Sequence, residues 1–367
     1  MEPRRPRRGI SHVAIYSVAT SGPNDSVNLL PPLLESLALS DPLTYLVVFL
    51  GVSLLMLWRL EAMLDHGLEG TALGTLLLPY CSGLGNLIFV ALMLSRKGDP
   101  ADVLTNALVN NVTNLTLLLG LPALLWGLQV MPGHASSAGQ GKKTVKPAKS
   151  GASTEHQINR LSLLLTLAAV LFFTGAVWLL GRDGKLNQTD GIVLIGLFLF
   201  WQCVQVFDVL KHNVRQKVSF GLRFYLDALV VLACAYVIYE TLDWLVTWLT
   251  AQKHGFISRD NLGWLTGWLM VLPNAVLALY WGWRRRADVV YSSQVGDGHI
   301  CIPLCLGLFA LVQPVPMSGF SDLALGLLLG SAVLHGAFLL ISGGLPRWAG
   351  GVLCLAYGWF VYAGLVG

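Results

Sequence analysis

Apolar residues run along this chain in blocks of about twenty, and polar residues gather in short breaks between the blocks. Blocks of that length suit helices that cross a hydrocarbon layer of roughly 30 Å. The short alternating segments of a membrane β-barrel are absent. The pattern predicts ten spans, at residues 43–58, 68–94, 103–128, 160–181, 190–210, 223–249, 262–283, 287–312, 321–342 and 347–366. Residues 1–41 form a polar leader, with four arginines at positions 4, 5, 7 and 8 and no apolar core close behind them as in a signal peptide. Residues 131–159, rich in Gly, Ser, Lys and Ala, read as a flexible loop, and residues 211–222 as a short basic linker. The linker divides the chain into a first five-span half (42–210) and a second (223–367). Because five is odd, the second half enters the membrane from the opposite side. The expected fold class is therefore an all-α polytopic membrane protein with two inverted five-helix repeats, an architecture found in secondary transporters.

Composition supports this reading. The chain is 54% hydrophobic and 12% charged, about half the charge of a soluble domain. The net charge of +4 comes from short loops and speaks to topology rather than to nucleic acid. Of the 24 Lys and Arg, 14 fall on the side of the odd-to-even connections. The positive-inside rule places that side in the cytoplasm and both termini outside, in a plasma (inner) membrane. The partners implied are the lipid bilayer and inorganic cations. All six cysteines lie in apolar segments without CxxC spacing, so no disulfide framework is expected. Neither HExxH, GxSxG, a paired-aspartate motif nor a nucleotide-binding loop appears. An enzyme or an ATP-driven pump is not expected, and no resident cofactor is implied.

Two regions break the apolar monotony at matching places. The second and third spans read LGTLLLPYCSGLGNLIFVALM, a basic turn SRKGDPAD, then VLTNALVNNVTNLTLLLGLPALL. The seventh and eighth read WLTGWLMVLPNAVLALYWG, a basic turn WRRRAD, then VVYSSQVGDGHICIPLCLGLFAL. Pro79, Gly83 and Gly85 are expected to break the first helix around Asn86, and Pro273 the second around Asn274. A break at mid-membrane is tolerated where it lines a site. Asn106, Asn110 and Asn114 recur every four residues and share a helix face, with Asn111 beside them. Such amides either line an ion or water pathway or hydrogen-bond neighbouring helices as glue.

These segments resemble the α-repeats of the calcium/cation antiporter superfamily, which contains the sodium/calcium exchangers. That repeat reads G-T-S-L-P-E, a turn with a late Asp, then G-N-x-x-G-S-N-x-x-N/D. Leu272-Pro273-Asn274 falls on L-P-E, Asp288 on the turn aspartate, and residues 292–301 on the second stretch. In the first repeat residues 105–114 match at three asparagines, and residues 81–86 resemble T-S-L-P-E after a one-residue shift in the turn. The span count, the position of the repeats and the orientation suit the family. The resemblance implies a secondary cation antiporter with an ion site between residues 74–120 and 266–310, and alternating access by motion of outer helices against that bundle.

The chain departs from the family at its defining residue. Asn86 and Asn274 stand where each repeat has a cation-ligating Glu, and Met270 and Val271 replace hydroxyl residues before Pro273. Calcium favours several oxygens including carboxylates. An altered ion, such as a monovalent cation or a proton, is therefore expected. Asp297 is an acid where the family has a serine, and an intramembrane Asp is a functional candidate. His299, two residues on, points to another face and has an ordinary pKa that suits a proton carrier. His299 with Cys301 and Cys305 also admits a soft-metal reading. The candidate cation ligands are thus Asn86, Asn106, Asn110, Asn111, Asn114, Asn274, Asp297 and His299. The alternative is a transport-incompetent membrane scaffold or sensor on the same fold. Gln202, Gln205 and His335 are further intramembrane polar groups, while Asp208, Asp227, Glu240 and Asp243 lie close enough to span ends to reach water.

Overall fold

Two helix starts in this chain are set by short polar caps ahead of apolar runs. Asp99 accepts from the Ala101 amide at 2.9 Å, with Pro100 at the first helical position, where its missing N–H is not needed. Ser318 and Ser321 form a reciprocal capping box. The computed structural model describes residues 41–63, 80–81, 83–130, 151–213 and 221–366. Its helices, numbered in chain order, are α1 Pro42–Met63, α2 Leu84–Ser95, α3 Pro100–Trp126, α4 Gly151–Leu180 and α5 Gln188–Asn213. They continue as α6 Leu222–Ala251, α7 Leu262–Trp283, α8 Ala287–Val312, α9 Gly319–Ile341 and α10 Arg347–Leu365. Among the described residues nine are long and apolar enough to cross a membrane, and α2 is the shorter tenth. Residues 64–79, with the start of the second span and Pro79, lie outside the described residues, as do the leader and residues 131–150.

Three expectations need correction. The loop expected over 131–159 gives way to helix at Gly151, because residues 151–159 hold no proline and extend the apolar helix that follows. The linker expected from residue 211 begins later, since α5 runs to Asn213. Pro273 does not break α7, which is helical from Leu262 to Trp283. Proline removes only one donor, the one that would serve the Leu269 carbonyl, and neighbouring helices hold the rest of α7 in place.

The packing has a two-fold logic that exchanges span n with span n+5. The helices α1 and α6 pack against each other, as do α4 and α9. α3 packs on α10, and its counterpart α8 packs on α5. Both of these contacts are made through glycines. A methyl group added at Gly350 in α10 would lie 2.5 Å from the Gly120 carbonyl oxygen, and one at Gly191 in α5 would lie 2.7 Å from the Gly307 carbonyl oxygen. Gly120 and Gly307 are the centres of the two Leu-Gly-Leu runs, so the repeated glycine serves close backbone approach. Two-residue strands close the ends in the same way. β1 Leu128–Gln129 pairs antiparallel with β4 Gly344–Leu345, and β2 Lys185–Leu186 with β3 Val315–Pro316. The first pairing joins the α3–α4 and α9–α10 connections, the second the α4–α5 and α8–α9 connections, as ten alternating spans require. The turns also correspond. Lys97 and Arg285 are the only non-glycine residues with positive φ among those described, at 52° and 61°. α3 and α8 form the centre, with 78% of each apolar window buried. Exposed apolar side chains such as Phe200, Leu229, Ile341 and Leu355 lie on the outside of the bundle, the surface expected to meet lipid.

Candidate functional site

The two central helices depart from α-geometry at matching depths. α3 is α-helical over Pro100–Val112, becomes a π-helix over Thr113–Leu118 and resumes at Leu119. α8 is α-helical to Gly296, is interrupted at Asp297 and passes into a π-helix over Cys301–Cys305. A π-turn widens the helix locally and is common where a site is built. On the first repeat the α2 helix starts anew at Leu84 after Gly83, in agreement with the expected break. A methyl group at Gly83 would lie 2.6 Å from the Ile300 side chain. Glycine therefore lets the broken end of α2 rest on α8.

Between these elements lies a continuous network of buried side chains. Asn110 donates from Nδ2 to Asn86 Oδ1 at 2.9 Å, and Asn114 donates to Asn110 Oδ1 at 3.0 Å. Asn114 Nδ2 also reaches Asp297 Oδ2 at 3.2 Å, and Asn274 donates to the same oxygen. Four helices thus contribute: α2, α3, α7 and α8. None of these five side chains is more than 8% exposed, and Asp297 is 2% exposed. Several acceptors beside these bonds remain without donors. Asp297 Oδ1, Asn114 Oδ1 and Gln294 Oε1 are buried without a hydrogen-bond partner. Buried acceptors are nearly always satisfied. Three of them on adjacent turns of α3 and α8 make this region rich in oxygens and short of donors, the environment a desolvated cation requires.

The other sequence candidates are placed differently. Asn106 is buried but donates to Thr266 Oγ1 at 3.0 Å, tying α3 to α7. Asn111 donates to the Ala107 carbonyl of its own helix at 2.7 Å. His299 faces away from Asp297, with Nε2 3.0 Å from the Thr166 carbonyl oxygen of α4 and its ring edge-on to Phe173 and Trp201. Among the described residues no group of three His, Cys, Asp or Glu side chains could hold a metal ion. Gln294 was not singled out by sequence, where it is one polar residue in the run Ser292-Ser293-Gln294. Its burial at 1% exposure was the missing information.

Two cavities adjoin the network. A small one of about 30 Å³ lies between α1, α6 and the core, lined by Ser53, Cys81, Gly85, Asn86, Pro273 and Asn274 among others. That volume admits a water molecule or a bare ion. Asn86 and Asn274, the two positions that matched the missing glutamates, face it together. A larger cavity of about 630 Å³ is walled by Leu54, Trp58 and Glu61 of α1, Tyr280 and Trp281 of α7, and Ser292, Ser293 and Gly296 of α8, and reaches His299. Gly296 immediately precedes Asp297. At the rim Arg286 bonds both oxygens of Asp288, at 3.1 and 3.0 Å. That bond and the charge of Asp288 raise the Arg286 pKa above the usual arginine value, and Glu61 adds to the effect.

The two ends of the bundle differ. At one end the α2–α3 turn is fastened to α6, because Arg96 bonds Asp243 and reaches Thr247 Oγ1 at 2.9 Å. At the other, no hydrogen bond or ion pair among the described residues joins the matching Arg284–Arg286 turn to α1, and the larger cavity lies between them.

Residues 42–207 match the sequence profile of the sodium/calcium exchanger protein family. The fold points the same way. The sodium-calcium exchanger NCX_Mj soaked with 2.5 mM Na+ and 1 mM Sr2+ superposes with a TM-score of 0.59 at 17% identity, over 87% of this chain and 96% of that one. The same exchanger soaked with 10 mM Na+ and zero Ca2+ gives 0.58 at 16% identity, over 89% and 99%. Residues 42–207 thus carry the sequence pattern of that family, and the chain as a whole is similar in fold to this exchanger. None of the curated proteins compared with it matches in sequence.

Proposed function

We propose that the protein is a secondary cation antiporter whose ion site lies between the two repeats, at Asp297, Asn114, Asn110, Asn86 and Asn274. The carrying observation is the set of three buried acceptor oxygens, Asp297 Oδ1, Asn114 Oδ1 and Gln294 Oε1, left without donors beside a single carboxylate. One carboxylate balances one positive charge. A divalent ion in the same place would keep a net charge in a medium of low dielectric, which is costly. The substrate is therefore a monovalent cation. The matched structures are of a sodium-calcium exchanger, and here the calcium half of such an exchange lacks its second acid.

Alternating access fits the arrangement of the helix pair α1 and α6, which packs across the small cavity. The pair is fastened at the Arg96 end and parted from the core at the Arg284 end, so the site in this structure is approached through the larger cavity. The basic excess on the Arg284 side supports a cytoplasmic position for that end, with both termini outside a plasma membrane.

The test is uptake of Na+ and K+ into proteoliposomes against gradients of each other and of H+. Uptake in the wild type that is lost in Asp297→Asn bears the reading out. Uptake that survives in Asp297→Asn refutes this site. Failure of uptake under every gradient, in folded protein, leaves the scaffold reading in its place.

A further inference from the structure

Outside the proposed ion site, one buried polar assembly links α3 and α8, two of the four helices that build it. His335 lies in α9 and Tyr291 in α8, and both side chains are fully buried. His335 Nε2 is 2.8 Å from the carbonyl oxygen of Leu115, and Nδ1 is 3.1 Å from the Tyr291 hydroxyl. A carbonyl can only accept, so Nε2 carries the proton, and in the neutral ring Nδ1 accepts the hydrogen bond donated by the Tyr291 hydroxyl. Leu115 sits within the π-helix Thr113–Leu118, directly after Asn114. In a π-turn carbonyls lose their regular i+4 N–H partners, and a carbonyl freed in the membrane must find another donor. His335 supplies one. Tyr291 lies on α8 six residues before Asp297, and its ring meets His335 edge-on with centroids 5.4 Å apart.

We infer that His335, held by Tyr291, is a positioning residue that fixes the π-turn of α3 and thereby aims Asn114 at Asp297. This rests on the ion site proposed above. It does not place His335 on the ion. The imidazole clamps α3 and α8 from α9, so that the Asn114 amide donates to Asp297 Oδ2 and keeps its own Oδ1 free. Without the clamp the Leu115 carbonyl would seek a donor elsewhere, and regular i−4 bonding over residues 113–118 would turn Asn114 by part of a helical turn.

The experiment measures the half-saturating concentration and the maximal rate of Na+ uptake, with K+ in parallel, for full-length protein in proteoliposomes. The variants are His335→Leu, His335→Gln, Tyr291→Phe, Asn114→Ala and the pair His335→Leu with Asn114→Ala, with Asp297→Asn as the control for the site. His335→Leu is expected to raise the half-saturating concentration about tenfold with a smaller change in rate per folded molecule. His335→Gln, which still offers a donor and an acceptor, recovers most of that loss. Tyr291→Phe, a single-hydroxyl change that spares folding, raises the concentration two- to threefold. Adding His335→Leu to Asn114→Ala has no further effect, because His335 acts through Asn114. Wild-type half-saturation in His335→Leu and Tyr291→Phe, or an additive double variant, overturns the inference while leaving the site intact. Uptake that persists in Asp297→Asn, or no uptake of either cation by wild type, refutes the site itself and the inference with it.

Discussion

Replacing Asn274 by aspartate tests the charge logic of the site with a change of almost no volume. Asn274 Nδ2 now donates to Asp297 Oδ2, and Asn274→Asp puts a second carboxylate at that contact. Asn274 is 8% exposed and Asp297 2%, so solvent does little to screen the pair. Two unit charges about 4 Å apart repel by about 4 kcal/mol at an effective dielectric constant of about 20. A monovalent ion leaves one of the two charges unbalanced, whereas a divalent ion neutralises both. The preference for divalent over monovalent ions should therefore shift by up to about 4 kcal/mol, or about a thousandfold in relative affinity. The assay is competition: Na+ uptake into proteoliposomes is measured against increasing Ca2+, and the half-inhibiting Ca2+ concentration should fall by about a hundred- to a thousandfold in Asn274→Asp. Combining it with Asp297→Asn restores a single charge at the same contact, and the competition should return towards the wild-type value. If Ca2+ competes equally well in wild type and Asn274→Asp, residues 274 and 297 do not share an ion, and the monovalent assignment loses its basis.

Three further outcomes follow from specific contacts. His299→Gln should retain uptake within about twofold, because His299 serves the Thr166 carbonyl and glutamine can donate there too; loss of uptake matching that of Asp297→Asn would return His299 to the site. Gly191→Ala and Gly350→Ala should each lower thermal stability in detergent by about 1–3 kcal/mol, since the added methyl meets a backbone oxygen in the facing helix; an unchanged melting temperature would show that these helices are not in close backbone contact. Arg96→Ala removes a bond between groups about one-third exposed, worth about 0.5–1 kcal/mol; it should raise thiol labelling of a cysteine placed at Ser53 from the Arg96 side about two- to fivefold, and unchanged labelling would show that Arg96 does not hold that end shut.

Much of the architecture was legible because membrane helices advertise themselves by length. Nine of the ten expected spans coincide with described helices to within a few residues, apart from the extra turns at the start of α4 and the ends of α1 and α5. The repeat of Leu-Gly-Leu and of the basic turn was visible as letters, and the structure supplies the reason in paired glycines and a shared positive-φ position. The site was half legible. Asn86, Asn110, Asn114, Asn274 and Asp297 stood out because amides and acids are costly in an apolar span, and they do converge. Asn106, Asn111 and His299 carried the same signal but meet other partners, a distinction set by which helix lies opposite and invisible in a single chain. Pro273 read as a break because proline removes a donor, yet the helix passes through it. The π-turns leave no sequence mark apart from the clusters of polar and small residues around them. The role of His335 depends on a carbonyl 220 residues away in the chain.

The two-fold logic of the bundle makes its asymmetries informative. Packing follows the exchange of halves closely: matched glycine contacts, matched strand pairs, matched π-turns and matched turns with one left-handed basic residue. Chemistry does not follow it. Asp297 in the second repeat falls opposite Asn110 in the first, so the network has one acid where a symmetric site would have two or none. Symmetry of packing is what a transporter needs if its halves are to exchange shapes between two states, and it constrains residues across the whole membrane depth. The charge of the proposed site needs no such symmetry, because one ion would sit between both halves in either state. The difference between the two ends belongs to the first kind. Arg96 is bonded to α6, whereas among the described residues no hydrogen bond or ion pair joins its counterpart Arg284 to α1, and the Arg284 end opens into a cavity that reaches the residue before Asp297. Under the proposed alternating access, repeats with equivalent turns but inequivalent contacts would be one of two interchangeable arrangements, and Glu61 on the wall of that cavity is the α1 carboxylate that the Arg284–Arg286 turn would meet if the other arrangement closed it.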